Sequence, residues 1–356
     1  MINVTKTFFP PIEEYTKQLE RIWKNQWLTN RGALVQELEK KLKEYLGVNN
    51  LTLTTNGTLP IQIAIKAMGL SGEVITTPFS YVATTSAIVW ENCTPVFVDI
   101  DPEYLTIDES KIEAAITDKT SAILATHVFG NPCNVEVIAQ IAKKHNLKVI
   151  YDAAHCFGVE YKGQSIFNYG DISTCSFHAT KIFHTGEGGC WITNNEELQQ
   201  KMQYMHNFGH NGPEDFHGLG INAKMSELQA AMGLSVFRHF EEIFASRKKA
   251  VELYVEKLNN EDVEFLKLRK RTKWNYHYFP IVLESEEELL NCMKRMNENK
   301  IYPRRYFYPS LNTINYVEKQ ECPVSEDISK RVLCLPLYHE IKEDVILKIV
   351  NIIKKC

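Results

Sequence analysis

The feature that most constrains the fold is a regular alternation of short apolar runs and amphipathic segments between residues 51 and 193. The apolar runs occupy residues 51–54, 73–76, 94–98, 122–126, 148–151, 172–176 and 190–193, and helical patterns occupy residues 58–67, 81–90, 108–115 and 135–144. Strands that alternate with helices build a mostly parallel sheet with helices on its faces. We therefore predict an α/β domain with a mostly parallel seven-stranded sheet, which binds ligands at the carboxyl ends of its strands.

The segments on either side of this alternation are mainly helical. Ahead of it, four leucines recur at four-residue spacing and Gly47 follows as a predicted helix cap; the leucines are Leu34, Leu38, Leu42 and Leu46. Behind it, residues 226–258 are predicted to form one long helix that contains Gly233. The remainder has predicted strands at 277–282 and 332–335 and helices at 286–297 and 343–354. A chain of 356 residues exceeds one typical core, so we predict a large domain at 1–245 and a smaller α/β domain at 246–356.

Composition and charge argue against several classes of protein. Forty basic against 44 acidic side chains give a net charge of −4, and these charges are scattered, which is not typical of a nucleic-acid binder. The longest uncharged stretch, residues 74–90, is too short and too polar to span a membrane, and the N-terminus does not read as a signal peptide. Nine cysteines without a Cys-x-x-Cys pair indicate reduced thiols and no metal site. We expect a cytoplasmic protein.

Polar residues that could bind a ligand or take part in catalysis follow three of the predicted strands. Residues 55–58 (Thr-Asn-Gly-Thr) close the first strand and open a helix, which suits either an anion site or a plain capped turn. Asp152 follows the strand at 148–151 and needs a partner if buried, either a cationic ring nitrogen or the next helix start. His155, three residues on, is either a site residue or a core histidine. Lys181 lies between a strand end and a glycine-rich turn, where it is either a surface charge or a Schiff-base lysine.

Taken together, these residues match the needs of one cofactor. Pyridoxal phosphate has a phosphate to be cradled, a pyridine nitrogen to be held protonated by a carboxylate, and an aldehyde to be tethered to a lysine. A phosphate-binding helix start, a strand-end Asp152, and Ser176 and Lys181 at a further strand end supply all three. We predict a pyridoxal 5'-phosphate enzyme that passes through pyridoxamine 5'-phosphate in turnover.

The chain also resembles the DegT-type sugar-nucleotide aminotransferases, which have the fold type I architecture. An ordered set of motifs carries the resemblance nearly from end to end: residues 27–32, 56–58, 77–84, 95–100, 127–130, 152–155, 176–181, 187–189, 220–222 and 333–337. The resemblance implies a large cofactor-binding domain, with an N-terminal helical segment, followed by the smaller C-terminal domain.

The resemblance assigns the main cofactor contacts. Lys181 would form the Schiff base with the cofactor and then move the proton during catalysis. Asp152 would pair with the pyridinium nitrogen. The phosphate would be held by three residues: Gly57, Thr58 and Ser176.

Three further positions match cofactor contacts of the family. Tyr81 would stack on the cofactor ring, and His155 would lie near the ring oxygen, where many relatives have Gln. Asn222 would reach the phosphate of the neighbouring subunit's cofactor, which implies a homodimer with shared active sites. Many relatives have Asn-Tyr-Arg-Met-Ser where this chain has residues 222–226, Asn-Ala-Lys-Met-Ser, so no role is assigned to Lys224.

The family suggests L-glutamate as amino donor and a nucleotide-linked keto-sugar as acceptor. Residues 90–92, 151–155 and 222–224 most resemble members that aminate C4 of dTDP-4-keto-6-deoxyglucose for surface polysaccharide such as the O-antigen of lipopolysaccharide. The predicted substrate-binding residues are Thr29, Arg31 and Tyr308. Cations should face the two phosphates of the nucleotide, and the candidates, each with the alternative of a solvated surface charge, are Arg31, Arg304, Arg305 and residues 267–273.

Two alternatives stay open at this stage. The first is an aminotransferase that uses another acceptor, such as a 3-keto sugar or a GDP- or UDP-linked sugar. The second is a non-catalytic, cofactor-binding regulator, which would need a DNA-binding segment and would tolerate loss of Lys181. One branch of the family replaces the lysine by His and dehydrates sugars, so the presence of Lys181 favours aminotransfer. A dinucleotide-dependent dehydrogenase is disfavoured because no G-x-G-x-x-G follows the first strand.

Overall fold

A seven-stranded sheet forms the centre of the computed structural model, which describes residues 1–259, 261 and 263–356. Six strands are parallel, and the strand Gly189–Ile192 runs antiparallel to both of its neighbours. Across the sheet the strands follow the order Leu51–Thr54, Gly189–Ile192, Ile172–Ser176, Lys148–Asp152, Thr120–Thr126, Glu73–Thr76 and Thr94–Phe97. The predicted α/β fold with a mostly parallel sheet is therefore confirmed.

Helices cover both faces of this sheet, which explains why its strands are buried at nearly every position. Successive side chains of a strand point to opposite faces, so neighbours in sequence enter different cores. Val74 packs into one core and Ile75 into the other, and Ile150 is separated in the same way from Val149 and Tyr151. The helices of this region are Ile12–Asn25, Ala33–Leu46, Leu59–Ala67, Val82–Trp90, Glu109–Ile112, Val135–His145, Glu196–Met205, Glu227–Phe237 and Phe240–Leu258.

The local helix signals explain several of these boundaries. Gly47 ends the leucine-rich helix in the left-handed conformation with φ 62°, as its position predicts. Ser226 begins the helix Glu227–Phe237 with a capping box, in which its hydroxyl and the Gln229 side chain bond reciprocally to the backbone. Asn134 and Asn195 cap two further helices through their side chains.

The prediction of one helix over residues 226–258 is wrong. The structure has two helices, Glu227–Phe237 and Phe240–Leu258, and the break lies at Arg238 and His239. His239 bonds to Glu14 Oε1 at 3.2 Å and Phe240 is buried, so tertiary contacts redirect the chain at this point. Neither glycine nor proline occupies the break, which is why the sequence pattern did not reveal it.

The C-terminal part has its own sheet and core. The strand Phe279–Val282 lies between Glu264–Phe265 and Val332–Leu335, antiparallel to both, and the helices are Glu286–Glu298, Pro323–Arg331 and Glu343–Ile353. Along the helix Phe240–Leu258, Ile243 packs into the core of the large sheet and Ala250 packs into the C-terminal core. The predicted division between residues 245 and 246 falls on this helix and stays a prediction.

Short elements connect these parts. The N-terminal strand Ile2–Asn3 pairs in parallel with Ile301–Tyr302 of the C-terminal part. A small sheet is formed by Glu160–Tyr161, Gln164–Ser165 and Thr272–Lys273, and single 3₁₀ turns occur at Glu113–Ala115, Val128–Gly130, Ile166–Asn168 and Leu311–Thr313. None of the described helices is both long enough and apolar enough to cross a membrane.

Candidate active site

A cavity of about 280 Å³ opens at the carboxyl ends of the parallel strands, close to the lower end of the size range of small-ligand sites, roughly 300 Å³. Asp152 and Ser176 are the last residues of two neighbouring strands, and Gly57 follows a third. The cavity is lined by seven of the eight predicted cofactor-binding residues: Gly57, Thr58, Tyr81, Asp152, His155, Ser176 and Lys181. The topology of the sheet thus brings together residues that are up to 124 positions apart in sequence, from Gly57 to Lys181.

Asp152 is buried at the floor of this cavity with only part of its hydrogen-bonding capacity used. Its Oδ2 accepts a hydrogen bond from the Thr84 hydroxyl at 2.6 Å, and its Oδ1 accepts one from the Ala154 N–H at 3.0 Å. Burial raises the pKa of Asp152 above its usual value, and these two hydrogen bonds and the charge of Lys181 offset only part of this effect. Among the described residues no cation lies within 4.0 Å of this carboxylate. The residue therefore fits a protonated ring nitrogen as its missing partner.

Lys181 approaches the same cavity from the turn after the strand Ile172–Ser176. The Nζ of Lys181 lies 5.8 Å from the centre of the Tyr278 ring. The backbone N–H of Lys181 donates to the His178 carbonyl at 2.8 Å. Burial lowers the pKa of Lys181 from 10.5 to about 8, against the opposing effect of Asp152. A lysine of this kind is neutral in a usable fraction near neutral pH, so it can attack a carbonyl group.

The loop before the helix Leu59–Ala67 forms a candidate phosphate cradle. The N–H groups of Thr58 and Leu59 both donate to Asn56 Oδ1 at 2.9 Å, so Asn56 caps this helix and the Thr58 side chain does not. A Cβ at Gly57 would lie 2.7 Å from the Cβ of Ser176, so glycine is required for these two strand ends to approach.

Three hydrogen-bond donors remain available in this cradle. Ser176 Oγ accepts from the His178 N–H at 3.4 Å and keeps its own proton to donate. In the part of the chain that the structure describes, the Gly57 N–H and the Thr58 hydroxyl donate to no protein group. These donors and the lysine and carboxylate above them fit the three functional groups of pyridoxal phosphate.

His155 contributes a neutral ring whose proton is on a defined nitrogen. Its Nδ1 accepts a hydrogen bond from the Phe129 N–H at 3.1 Å, so the ring proton must be on Nε2. Burial, and then the charge of Lys181, holds the pKa of His155 well below its usual range. Tyr81 stands at the mouth of the cavity, is 61% exposed and precedes the helix Val82–Trp90. It offers an aromatic face to a ligand inside the cavity.

A second and larger cavity of about 1200 Å³ adjoins the first one. Ser80, Tyr81, Thr180, Tyr306 and Phe307 line both cavities. The second cavity is also lined by the N-terminal residues Met1, Asn3, Val4, Thr5 and Thr7 and by Arg304, Arg305 and Tyr308. A ligand whose reacting end occupies the first cavity has room here for a large remaining part.

The predicted cations differ in whether they are already paired. Arg305 bonds to Glu286 Oε1 at 2.6 Å and stacks on Tyr308 at 3.6 Å. Arg304 is exposed, lines the second cavity, and forms no ion pair within the described residues. In the cluster at 267–273, Lys267 pairs with Glu103, Arg269 with Glu109 at 2.9 Å and Lys273 with Glu160 at 2.7 Å. Lys270 and Arg271 of this cluster are exposed and form no ion pair among the described residues, but they line neither cavity. Arg304 is therefore the predicted cation that both lines a cavity and lacks a carboxylate partner in the described part of the chain.

Three predicted site residues lie outside both cavities. Thr29 is exposed, and Arg31 is paired with Glu39 at 2.8 Å. Asn222 is also exposed, and its Oδ1 accepts a hydrogen bond from Lys224 Nζ at 2.8 Å. The single chain thus does not bring Asn222 to its own cavity, and its role across a subunit interface stays a prediction.

The structure also adds residues that the sequence reasoning missed. Asn56 caps the helix at the phosphate cradle, and Thr84 bonds directly to Asp152. Both carried a sequence signal, since Asn56 is an N-cap residue type and Thr84 is a polar residue inside an apolar helix. Tyr278 and Phe307 close the cavity from the C-terminal part, and their sequence positions carried no comparable signal.

A comparison with known families assigns the chain. The profile of the DegT/DnrJ/EryC1/StrS aminotransferase family matches residues 11–354. The chain belongs to this family. The predicted pyridoxal phosphate cofactor and the aminotransferase class are thereby confirmed.

Relatives of this DegT-type aminotransferase include sugar-nucleotide enzymes. A dTDP-4-amino-4,6-dideoxy-D-glucose transaminase of Shigella dysenteriae is 43% identical over 364 residues, which cover 99% of this chain and 98% of the relative. A GDP-perosamine synthase of Escherichia coli O157:H7 is 32% identical over 331 residues, which cover 91% of this chain and 90% of the relative.

Solved structures of this aminotransferase fold superpose over nearly the whole chain. A structure of DesI, determined in the presence of its TDP-sugar product, matches with a TM-score of 0.94 and 31% identity over 100% of this chain and 92% of that one. The NtdA structure from Bacillus subtilis, with bound cofactor PMP, matches with a TM-score of 0.88 and 28% identity over 96% of this chain and 82% of that one.

Proposed function

We propose that this aminotransferase moves the amino group of L-glutamate to C4 of dTDP-4-keto-6-deoxy-D-glucose. The products are 2-oxoglutarate and dTDP-4-amino-4,6-dideoxy-D-glucose, also called dTDP-viosamine. The observation that carries the proposal is the 43% identity to an enzyme named for this product across 99% of the chain. The cavity supports it chemically because Lys181 and Asp152, a lysine and a buried carboxylate, both line it.

Lys181 and Asp152 have complementary roles in this proposal. When bound, pyridoxal phosphate supplies an electron sink that lets a proton leave the carbon bearing the amino group. Lys181 Nζ takes this proton and returns it at the neighbouring reacting carbon, which its lowered pKa of about 8 permits. The Asp152 carboxylate holds the proton on the cofactor's ring nitrogen.

The remaining cavity residues hold and orient the cofactor. Gly57, Thr58 and Ser176 would donate hydrogen bonds to its phosphate, and Tyr81 would pack on its ring, since all four residues line the first cavity. His155 would offer its Nε2–H to the ring oxygen, since its Nδ1 accepts the Phe129 N–H and the ring proton is therefore on Nε2.

The second cavity accommodates the nucleotide part of the acceptor. It joins the first cavity through shared residues, so a keto-sugar can reach Lys181 while its diphosphate and base lie outside. Arg304 is the cation we assign to the diphosphate, since it lines this cavity without a carboxylate partner among the described residues. Tyr308, 50% exposed at the same wall, is the aromatic contact for the sugar or base. Thr29 and Arg31 would contribute from a neighbouring subunit.

A homodimer with shared active sites completes the proposal. Asn222 is exposed beside other exposed apolar side chains, including Ile221 and Phe208, whose backbone groups bond to each other at 3.1 Å. Exposed apolar groups of this kind favour burial against another chain. In such a dimer, Asn222 would reach the cofactor phosphate of the partner, and the enzyme would work in the cytoplasm to supply amino sugars for O-antigen synthesis.

A GDP-linked 4-keto sugar is the second candidate acceptor. The GDP-perosamine synthase at 32% identity favours it, although its identity to this chain is lower than that of the dTDP-sugar enzyme. The two candidates differ in the base that the second cavity must accept, and not in the chemistry at Lys181.

An acceptor competition tests the proposed substrate. The enzyme is loaded with pyridoxal phosphate and L-glutamate, and kcat/KM is measured for dTDP-, GDP- and UDP-linked 4-keto-6-deoxy sugars by product mass. We expect the dTDP-linked sugar to lead by at least about tenfold, the ratio that ~1.4 kcal/mol of differential binding produces. A lead for the GDP- or UDP-linked sugar would replace the proposed acceptor, and turnover of a 3-keto sugar but of none of the 4-keto sugars would replace the proposed position.

A further inference from the structure

Three buried hydroxyl groups form a chain that ends on Asp152. Thr126 Oγ1 lies 3.0 Å from Ser80 Oγ, Ser80 Oγ lies 2.9 Å from Thr84 Oγ1, and Thr84 Oγ1 lies 2.6 Å from Asp152 Oδ2. The three residues are at most 3% exposed. They come from three different elements, namely the end of the strand Thr120–Thr126, the loop after the strand Glu73–Thr76, and the helix Val82–Trp90.

The direction of this chain follows from counting protons. Each hydroxyl has one proton to donate. When Asp152 is ionised it can only accept, so Thr84 donates to Asp152, and Ser80 must then donate to Thr84. Thr126 must in turn donate to Ser80. All three hydroxyl dipoles therefore point toward the carboxylate, and each bond polarises the next one.

The carboxylate is held at two separate points. Thr84 fixes Oδ2, and the Ala154 N–H fixes Oδ1 at 3.0 Å. Two donors on different oxygens prevent the carboxylate plane from rotating. Each oxygen still has acceptor capacity for a group inside the cavity, since a carboxylate has about four lone-pair sites.

We propose that Thr84, supported by Ser80 and Thr126, is a positioning residue that keeps Asp152 ionised and fixes the plane of its carboxylate. The inference rests on the proposed role of Asp152 as partner of the cofactor's ring nitrogen. Burial by itself favours the neutral acid, which could not hold a proton on a ring nitrogen. The hydroxyl chain opposes this effect of burial without adding a charge to the cavity.

The groups that face Asp152 allow its titration to be read cleanly. The titratable neighbours are Lys181 and the thiols of Cys156 and Cys175. Burial raises the pKa of Cys175 to about 12 and also raises that of Cys156, so both thiols stay neutral at physiological pH. Burial lowers the pKa of Lys181 to about 8, and the Asp152→Asn variant separates the titration of Lys181 from that of the carboxyl group.

The helix supplies a matched control beside Thr84. Thr85 is as completely buried as Thr84, but its Oγ1 has no hydrogen-bond partner among the described residues. Thr84→Val and Thr85→Val therefore make the same exchange of a hydroxyl for a methyl group at adjacent buried positions. Only the first variant breaks the chain to Asp152, and Thr84→Ser keeps that chain.

The test measures the pKa of Asp152 in the apoenzyme. Aspartate carboxyl groups are labelled with ¹³C, the Asp152 signal is assigned by its loss in Asp152→Asn, and its chemical shift is followed by NMR against pH. We expect Thr84→Val to raise the pKa by about one to two units, from the strength of a hydrogen bond to a charged group. Thr84→Ser and Thr85→Val should stay within about 0.3 unit of the wild type, which is small against that effect.

Cofactor binding gives a second readout. The equilibrium affinity for pyridoxal phosphate should fall by about tenfold or more in Thr84→Val, and less in Ser80→Ala, where Thr84 still donates but is no longer polarised. An unchanged Asp152 pKa in Thr84→Val, or an equal change in Thr85→Val or Thr84→Ser, would overturn the inference. The NMR measurement uses neither amino donor nor acceptor, so its failure is distinct from a failure of the proposed reaction.

Discussion

The lowered pKa of Lys181 predicts how fast the apoenzyme captures its cofactor at each pH. Only the neutral amine attacks the cofactor aldehyde. With a pKa of about 8, Lys181 is about 9% neutral at pH 7 and about 91% neutral at pH 9, a tenfold rise. An ordinary lysine with a pKa of 10.5 rises about a hundredfold over the same interval, because it stays almost fully protonated.

The assay is a stopped-flow measurement of the visible absorption band that appears when apoenzyme and pyridoxal phosphate are mixed. The rate at each pH is divided by the rate of a free lysine derivative with the same cofactor, and the latter rate is first corrected for protonation of that derivative. This ratio cancels the effect of the cofactor's own titration on the rate. We expect a rise of about tenfold between pH 7 and pH 9 and a plateau above pH 9. The Asp152→Asn variant should reach its plateau at lower pH, because the Asp152 charge raises the pKa of Lys181 and its removal lowers it. A rate that continues to climb about a hundredfold from pH 7 to pH 9 would refute this account.

Three further predictions follow from individual contacts. Gly57→Ala places a Cβ 2.7 Å from the Cβ of Ser176, so the affinity for pyridoxal phosphate should fall by about tenfold or more in a spectral titration. An unchanged affinity would contradict the proposal that this loop holds the cofactor phosphate. Arg304→Ala should raise the KM of the sugar nucleotide about ten- to hundredfold without changing the rate of the half-reaction with glutamate. The control Lys294→Ala changes an exposed residue outside both cavities and should alter neither this KM nor this rate. Arg247→Leu leaves the partly buried carbonyl of Tyr276 and the buried carbonyl of His277 without their donor. This variant should lower the free energy of unfolding of the apoenzyme by about 2 to 5 kcal/mol, measured by urea denaturation. The surface change Arg238→Ala should cost under about 1 kcal/mol.

The sequence predicted those parts of the molecule that depend on local patterns. The seven apolar runs became the seven strands because each is buried on both faces, and Asp152 and Ser176 mark strand ends as expected. Lys181 was predicted from its position between a strand end and a glycine-rich turn, and the structure places it in the same cavity.

Features that depend on tertiary contacts showed in the sequence weakly or not at all. The break at His239 is set by contacts with Glu14 and by burial of Phe240, without glycine or proline. Thr84 was not recognised because its importance depends on Ser80, Thr126 and Asp152 meeting in space.

The central claim is that Lys181 carries amino transfer from glutamate to the sugar, and one spectral titration tests it most directly. The enzyme loaded with pyridoxal phosphate is titrated first with L-glutamate and then with dTDP-4-keto-6-deoxyglucose, and its visible absorption band is recorded at each step. We predict that glutamate removes the band, that the sugar restores it, and that Lys181→Ala, although folded, shows neither change. Loss without return would contradict the acceptor, and a normal cycle in Lys181→Ala would contradict the role of the lysine.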